Sequence, residues 1–153
     1  MTRKVRRRAR EMALQCLYAA NLGGSRPEET IDFLAAEGEE ALPEEVQGYC
    51  LELVRQALKR QDWADQTIAS KLEHWELGRV TLIDRLILEL AIVEMVNFDN
   101  VPLKVSISEA IEIAKKYSTD DSPGFINGIL DAVYHDILEG KLNSGSGRGA
   151  VSA

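Results

Sequence analysis

Cysteine and histidine are scarce in this chain of 153 residues: two of each, Cys16 and Cys50, His74 and His135. No CxxC occurs, and neither histidine has ligand-type neighbours at zinc spacing, so no metal site is expected. Both cysteines fall on apolar faces of predicted helices and read as small buried hydrophobes. Also missing are paired carboxylates in a catalytic context, a Ser/His/Asp set and a phosphate-cradling glycine loop. These absences argue against an enzyme and against a bound cofactor. No apolar run approaches the roughly 20 residues needed to span a bilayer. The basic N-terminus is not followed by an apolar signal core of about 7–15 residues, and the cytoplasm is the expected location.

The charge that is present is unevenly distributed. The net charge is −7, yet Arg3, Lys4, Arg6, Arg7, Arg8 and Arg10 place six of the 18 basic residues within eight positions. The remaining sequence carries 12 basic against 25 acidic groups, a net of −13. Such clustering predicts one localised contact with a polyanion, because the acidic remainder repels phosphate elsewhere. On a helix, Arg3, Arg6, Arg7 and Arg10 share a sector about 100° wide, while Lys4 and Arg8 point elsewhere. Cations in a first helical turn oppose the helix dipole, a cost that bound phosphate reverses. Charge clustering alone leaves a solvated arm or a membrane-surface contact open, and it does not separate RNA from DNA.

Apolar residues recur at spacings of three and four throughout, and strand-type alternation is absent. Val5, Ala9, Met12, Ala13, Cys16, Leu17 and Ala20 predict a first helix that Gly23 and Gly24 stop. Pro27 opens a short second helix carrying Ile31 and Leu34, and Pro43 a third through Leu58. A weaker helix is expected over residues 63–72. The stretch 80–96 is apolar nearly all round and should be a central helix surrounded by protein. Another helix is expected over 103–117. The last begins at Pro123, with Asp121 or Ser122 as its cap. Residues 1–139 are therefore read as a single all-α domain of about seven helices, and 140–153 as a disordered tail of small residues.

Four stretches, in order, resemble the NusB family. They are Arg-Arg-Arg-Ala-Arg-Glu-Met-Ala-Leu-Gln-Cys-Leu-Tyr at 6–18, Trp75-Glu76-Leu77 leading into Ile-Asp-Arg-Leu-Ile-Leu-Glu-Leu-Ala at 83–91 and ending at Glu94, Val-Pro-Leu-Lys-Val-Ser-Ile-Ser-Glu-Ala-Ile-Glu-Ile-Ala-Lys at 101–115, and Asp-Ser-Pro-Gly-Phe-Ile-Asn-Gly-Ile-Leu-Asp at 121–131. The resemblance implies two small helical bundles and an RNA-binding role in transcription antitermination. It further implies binding to boxA RNA of ribosomal RNA operons, a heterodimer with NusE (a basic small-subunit ribosomal protein), and assembly on RNA polymerase. Ser106 and Ser108 depart from the family pattern, at positions expected to be exposed.

By the same resemblance, Arg6, Arg7, Arg8 and Arg10 contact boxA RNA. Asp121, Phe125 and Asn127 match a region that the family uses near the RNA, and Lys104 can extend the basic track. Phe125 is either a base-stacking platform or the first core residue of its helix. Tyr18 and Asp84 match the partner surface. Tyr18 lies outside the apolar stripe of its helix, whereas Asp84 can equally form an internal ion pair with Arg85. The free protein is left as monomer or homodimer. Two other readings are weaker. A NusB-like RNA-binding appendage of an RNA methyltransferase needs a Rossmann-like domain for which there is no room. A helix-turn-helix DNA reader needs a short-turn partner helix before the basic residues.

Overall fold

The described residues of the computed structural model, 2–38, 42–73 and 76–142, form seven α-helices and one 3-10 turn, with no strand among them. They divide between Lys59 and Arg60 into two compact units, each with its own core. The all-α expectation holds, as do the two small bundles that the resemblance implies.

The first unit contains α1 (Arg3–Gly23), α2 (Pro27–Glu37) and α3 (Glu44–Lys59). Thr2 caps α1, its hydroxyl accepting a hydrogen bond from the Val5 amide at 3.2 Å. Gly24 closes the helix at φ 70°, a left-handed conformation that a side chain would strain. Pro27 fits the first turn of α2, where a missing N–H costs nothing. Small residues let α1 and α3 approach closely: Ala9, Ala13 and Cys16 are buried on α1, and Cys50 and Ala57 on α3. Larger residues such as Leu17 and Leu53 fill in around them. Each such burial contributes roughly 1.5–3 kcal/mol. Helix α2 is the lightest element, with Ile31 its one buried residue.

The second unit contains α4 (Gln61–Ser70), the 3-10 turn Leu77–Arg79, α5 (Leu82–Asn97), α6 (Leu103–Tyr117) and α7 (Ser122–Leu138). Helix α5 is central, as its all-round apolar surface requires, and packs against α4, α6 and α7. It nevertheless buries three carboxylates, Asp84, Glu89 and Glu94, which need partners to offset desolvation. The Ser106 hydroxyl donates to Glu94 Oε1 at 2.7 Å, and the Gln61 amide donates to Glu89 Oε1 at 2.8 Å. Arg60, just before α4, lies 3.9 Å from the Trp63 ring centroid and donates to Asn97 Oδ1 at 2.7 Å.

Three expectations change. Ser106 is buried, not exposed, because Glu94 requires a donor within the α5–α6 packing. Helix α4 starts and stops two residues earlier than 63–72, its last turn closed by the Ser70 hydroxyl bonding to the Thr67 carbonyl at 2.7 Å. Asp121 occupies the N-cap position of α7, but its side chain makes no capping bond. Residues 143–153 of the expected tail, and Trp75 and His74, lie outside the described residues.

Candidate nucleic-acid interface

The cationic residues start at the first turn of α1, which holds no acidic residue. Arg3 and Lys4 are exposed, and Arg6, Arg7 and Arg8 are half-buried. Arg10 is only 5% exposed. Beneath these groups stands the Tyr49 ring of α3, with the Arg6 and Arg10 guanidinium carbons 5.5 and 6.0 Å from its centroid. Both distances allow a cation–π attraction, strengthened here by partial desolvation. Tyr49 therefore stiffens two flexible side chains before any ligand arrives.

Arg10 was expected on the open ridge; the structure places it inside the packing instead. The buried face of α1 is wider than the stripe from Val5 to Ala20, because Leu14 is buried as well. At about 100° per residue, Arg10 lies between Leu14 and Leu17. That position is covered, and the accessible cations are those before it.

The other candidate residues lie in the second unit. At the start of α7, the Ser122 hydroxyl donates to Asp84 Oδ2 at 2.8 Å and the Ser118 hydroxyl donates to Asp84 Oδ1 at 2.6 Å. Ser122 Oγ also lies 2.8 Å from Ser118 Oγ and 2.9 Å from Thr119 Oγ1. One carboxylate on α5 thereby ties the end of α6 to the beginning of α7. Beside this network runs a groove of about 390 Å³ whose wall includes Arg79, Thr81, Asp121 and Phe125. Phe125 is half-buried, so it is neither a pure core residue nor a free platform; it lines the groove. A second groove, of about 290 Å³ between α6 and α7, is lined by Lys104, Ser108, Asn127 and Tyr134, with Ile107 and Ile111 also in its wall. The Lys104 ammonium stands 5.9 Å from the Tyr134 ring centroid.

Two residues assigned to a partner surface have different surroundings. Tyr18 is 39% exposed on α1, in keeping with a surface role. Asp84 is 7% exposed and its carboxylate is engaged by two serine hydroxyls, so the expectation that it faces a partner is corrected. It does not pair with Arg85 either. Arg85 Nε lies 3.5 Å from Glu89 Oε2 and 4.0 Å from Asp65 Oδ1. Within that cluster, burial and a hydrogen bond with Asp65 push the Glu89 carboxyl up to about 9.

Reading the sequence missed Arg79 and Tyr134, both lone residues outside any cluster, and Tyr49, which looked like one more core aromatic. Among the described residues, no group of three or more His, Cys, Asp or Glu is placed to hold a metal ion. Among the same residues, no helix is long and apolar enough to cross a membrane.

The chain matches the NusB family over residues 7–135. It is 40% identical over 152 residues to the transcription antitermination protein NusB of Chloroherpeton thalassium, covering 95% of this chain and 69% of that protein. It is 38% identical over 147 residues to the protein of that name from Salinibacter ruber, covering 95% and 91%. Among solved structures it is similar to T. maritima NusB, at 30% identity and TM-score 0.76, covering 86% of this chain and 91% of that one. A NusB solved with NusE and dsRNA shares the fold at 24% identity and TM-score 0.76, covering 88% and 98%.

Proposed function

The chain belongs to the NusB family of transcription antitermination proteins, and from that premise we propose that it binds boxA RNA of ribosomal RNA operons together with NusE, promoting processive transcription by RNA polymerase. The observation that carries this reading is the cationic opening of α1, free of acidic residues in its first turn and backed by Tyr49. Arg6, Arg7 and Arg8 hold phosphate oxygens or stack on unpaired bases through their planar forks. Arg10 acts from beneath, sharing the Tyr49 ring with Arg6.

In the second unit, Phe125 offers a ring edge or face to a splayed base, Asn127 a base-reading amide, and Lys104 a phosphate contact. Asp121 sits exposed at the mouth of the Phe125 groove and tunes how closely phosphate approaches. Tyr18 presents an aromatic anchor to NusE, and the acidic remainder of the chain steers that basic partner. Asp84 serves this interface from within, by holding the α6–α7 connection in place.

Fluorescence anisotropy with labelled boxA RNA and a scrambled RNA, at several salt concentrations and with or without NusE, tests the reading. Preference for boxA, a steep salt slope and a gain with NusE are expected. Equal affinity for both RNAs at all salts, unchanged by NusE, overturns it.

A further inference from the structure

The only two thiols of the chain meet in the core of the first unit. Cys16 of α1 and Cys50 of α3 are both fully buried, and their sulfurs lie 3.9 Å apart. Cys16 Sγ also lies 3.9 Å from the Pro27 carbonyl at the start of α2, so all three helices of the unit converge on one sulfur. Nothing in the proposed RNA and protein contacts uses this pair.

We propose that Cys16 and Cys50 are a site of reversible oxidation, forming an intramolecular disulfide with hydrogen peroxide that staples α1 to α3. A disulfide needs sulfurs about 2.05 Å apart, so oxidation has to draw the two sulfurs together from 3.9 Å. The two thiols are not equivalent. A hydrogen bond from Cys50 holds the Cys16 thiol below the ordinary thiol range, and the same bond pushes Cys50 up. Cys16 is therefore the attacking sulfur.

The thiolate of Cys16 attacks one peroxide oxygen and breaks the O–O bond, giving a sulfenic acid and a hydroxide that takes up the Cys16 proton as water. Cys50 then attacks the sulfenyl sulfur, forming the S–S bond and expelling hydroxide, which leaves as a second water with the Cys50 proton. Two thiols are oxidised and one peroxide is reduced to two waters.

Access is set by α2. It covers Cys16 through Pro27 yet buries only Ile31 of its own, so it is the element of this unit that lifts at least cost. The bond forms at the rate of that opening and is then shielded from thiol reductants once α2 closes. The helix that carries the arginine cluster stays docked under oxidising conditions. This inference does not depend on the RNA reading.

The test is intact-mass analysis of the native full-length protein after peroxide treatment, with peptide mapping. The expected product is a monomer that has lost two hydrogen atoms, with a linked peptide joining Cys16 and Cys50. Dithiothreitol should reverse it slowly in buffer and quickly in urea. Closing a loop between residues 34 apart should raise the melting temperature on the order of 5–15 °C, a gain lost in Cys50→Ala. The inference is overturned if the native protein stays reduced while the urea-unfolded protein forms the bond in the same peroxide. It is equally overturned if the only product is a disulfide-linked dimer.

Discussion

The two units solve the same packing problem with opposite placements of charge. In the first, the buried face is built from alanines, two thiols and larger apolar residues, with Arg10 its one buried charged side chain among the described residues, and the pairs Glu28–Arg55 and Glu29–Arg26 are peripheral. In the second, the central helix carries carboxylates into the core, and each is held by hydroxyl or amide groups from neighbouring helices and their ends, Glu89 also by the Arg85 guanidinium of α5 itself. The first unit can therefore vary its surface charge for binding at little cost to its core. The second has spent polar groups on fixing helix ends, and its geometry depends on their protonation and pairing.

The sharpest break of this contrast is expected from pH. Glu89 titrates near 9 in the folded unit against an ordinary 4.5. Its folded value is raised, so the stability it contributes is full below about 4.5 and is lost as pH rises through about 9. Between pH 4.5 and 7 the decline is on the order of 3 kcal/mol, at about 1.4 kcal/mol per pH unit. Glu89→Gln keeps the Gln61 bond and mimics the protonated acid, so its urea-unfolding midpoint should stay flat over that range while the parent falls. Parallel profiles for the two proteins would show that Glu89 is charged in the core.

Next in size is the arginine cluster of α1. Arg6, Arg7 and Arg8 replaced together by alanine should weaken boxA binding about 100-fold and make the salt slope shallower by roughly 2. Helix content by circular dichroism should not change. Unchanged affinity in anisotropy titrations would remove the first unit from the RNA surface. Asp84→Asn, in the second unit, should cost about 1–2 kcal/mol by loss of two charge-assisted bonds. Chemical denaturation checks this, and a neutral result would mean that the serines find other partners. The smallest effect belongs to Glu28→Gln. Arg55 holds the Glu28 carboxyl below its ordinary value, so its contribution is present above the unfolded value and is lost as pH falls through the folded one. Being exposed, the pair should leave a difference in melting temperature that about 1 M salt erases.

The helices were legible because core positions repeat locally: Val46, Cys50 and Leu53 after Pro43, or the largely apolar stretch of α5, need no knowledge of distant residues. The arginine cluster was legible for a similar reason, since six cations in eight positions stand out in any fold. Asp84 was not. Its role depends on Ser118 and Ser122, which lie 34 and 38 residues away, and no local pattern marks an acid that hydroxyls will bury. Arg10 was readable in principle, because Leu14 widens the apolar face around it, but a stripe drawn only from Val5 to Ala20 leaves it outside. Ser106 looked like a surface substitution until Glu94 of the preceding helix was seen to need its hydroxyl.

The Arg60 guanidinium resting on Trp63 has a practical consequence. Both tryptophans of the chain, Trp63 and Trp75, come after the Lys59–Arg60 junction, while α1 and α3 contain only tyrosines. Indole emission thus reports on the second unit alone, with Trp63 tuned by the cation beside its ring, whereas the four tyrosines are shared, Tyr18 and Tyr49 in the first unit and Tyr117 and Tyr134 in the second. A phenol transition that does not coincide with the indole one therefore marks separate melting of the first unit, without a label.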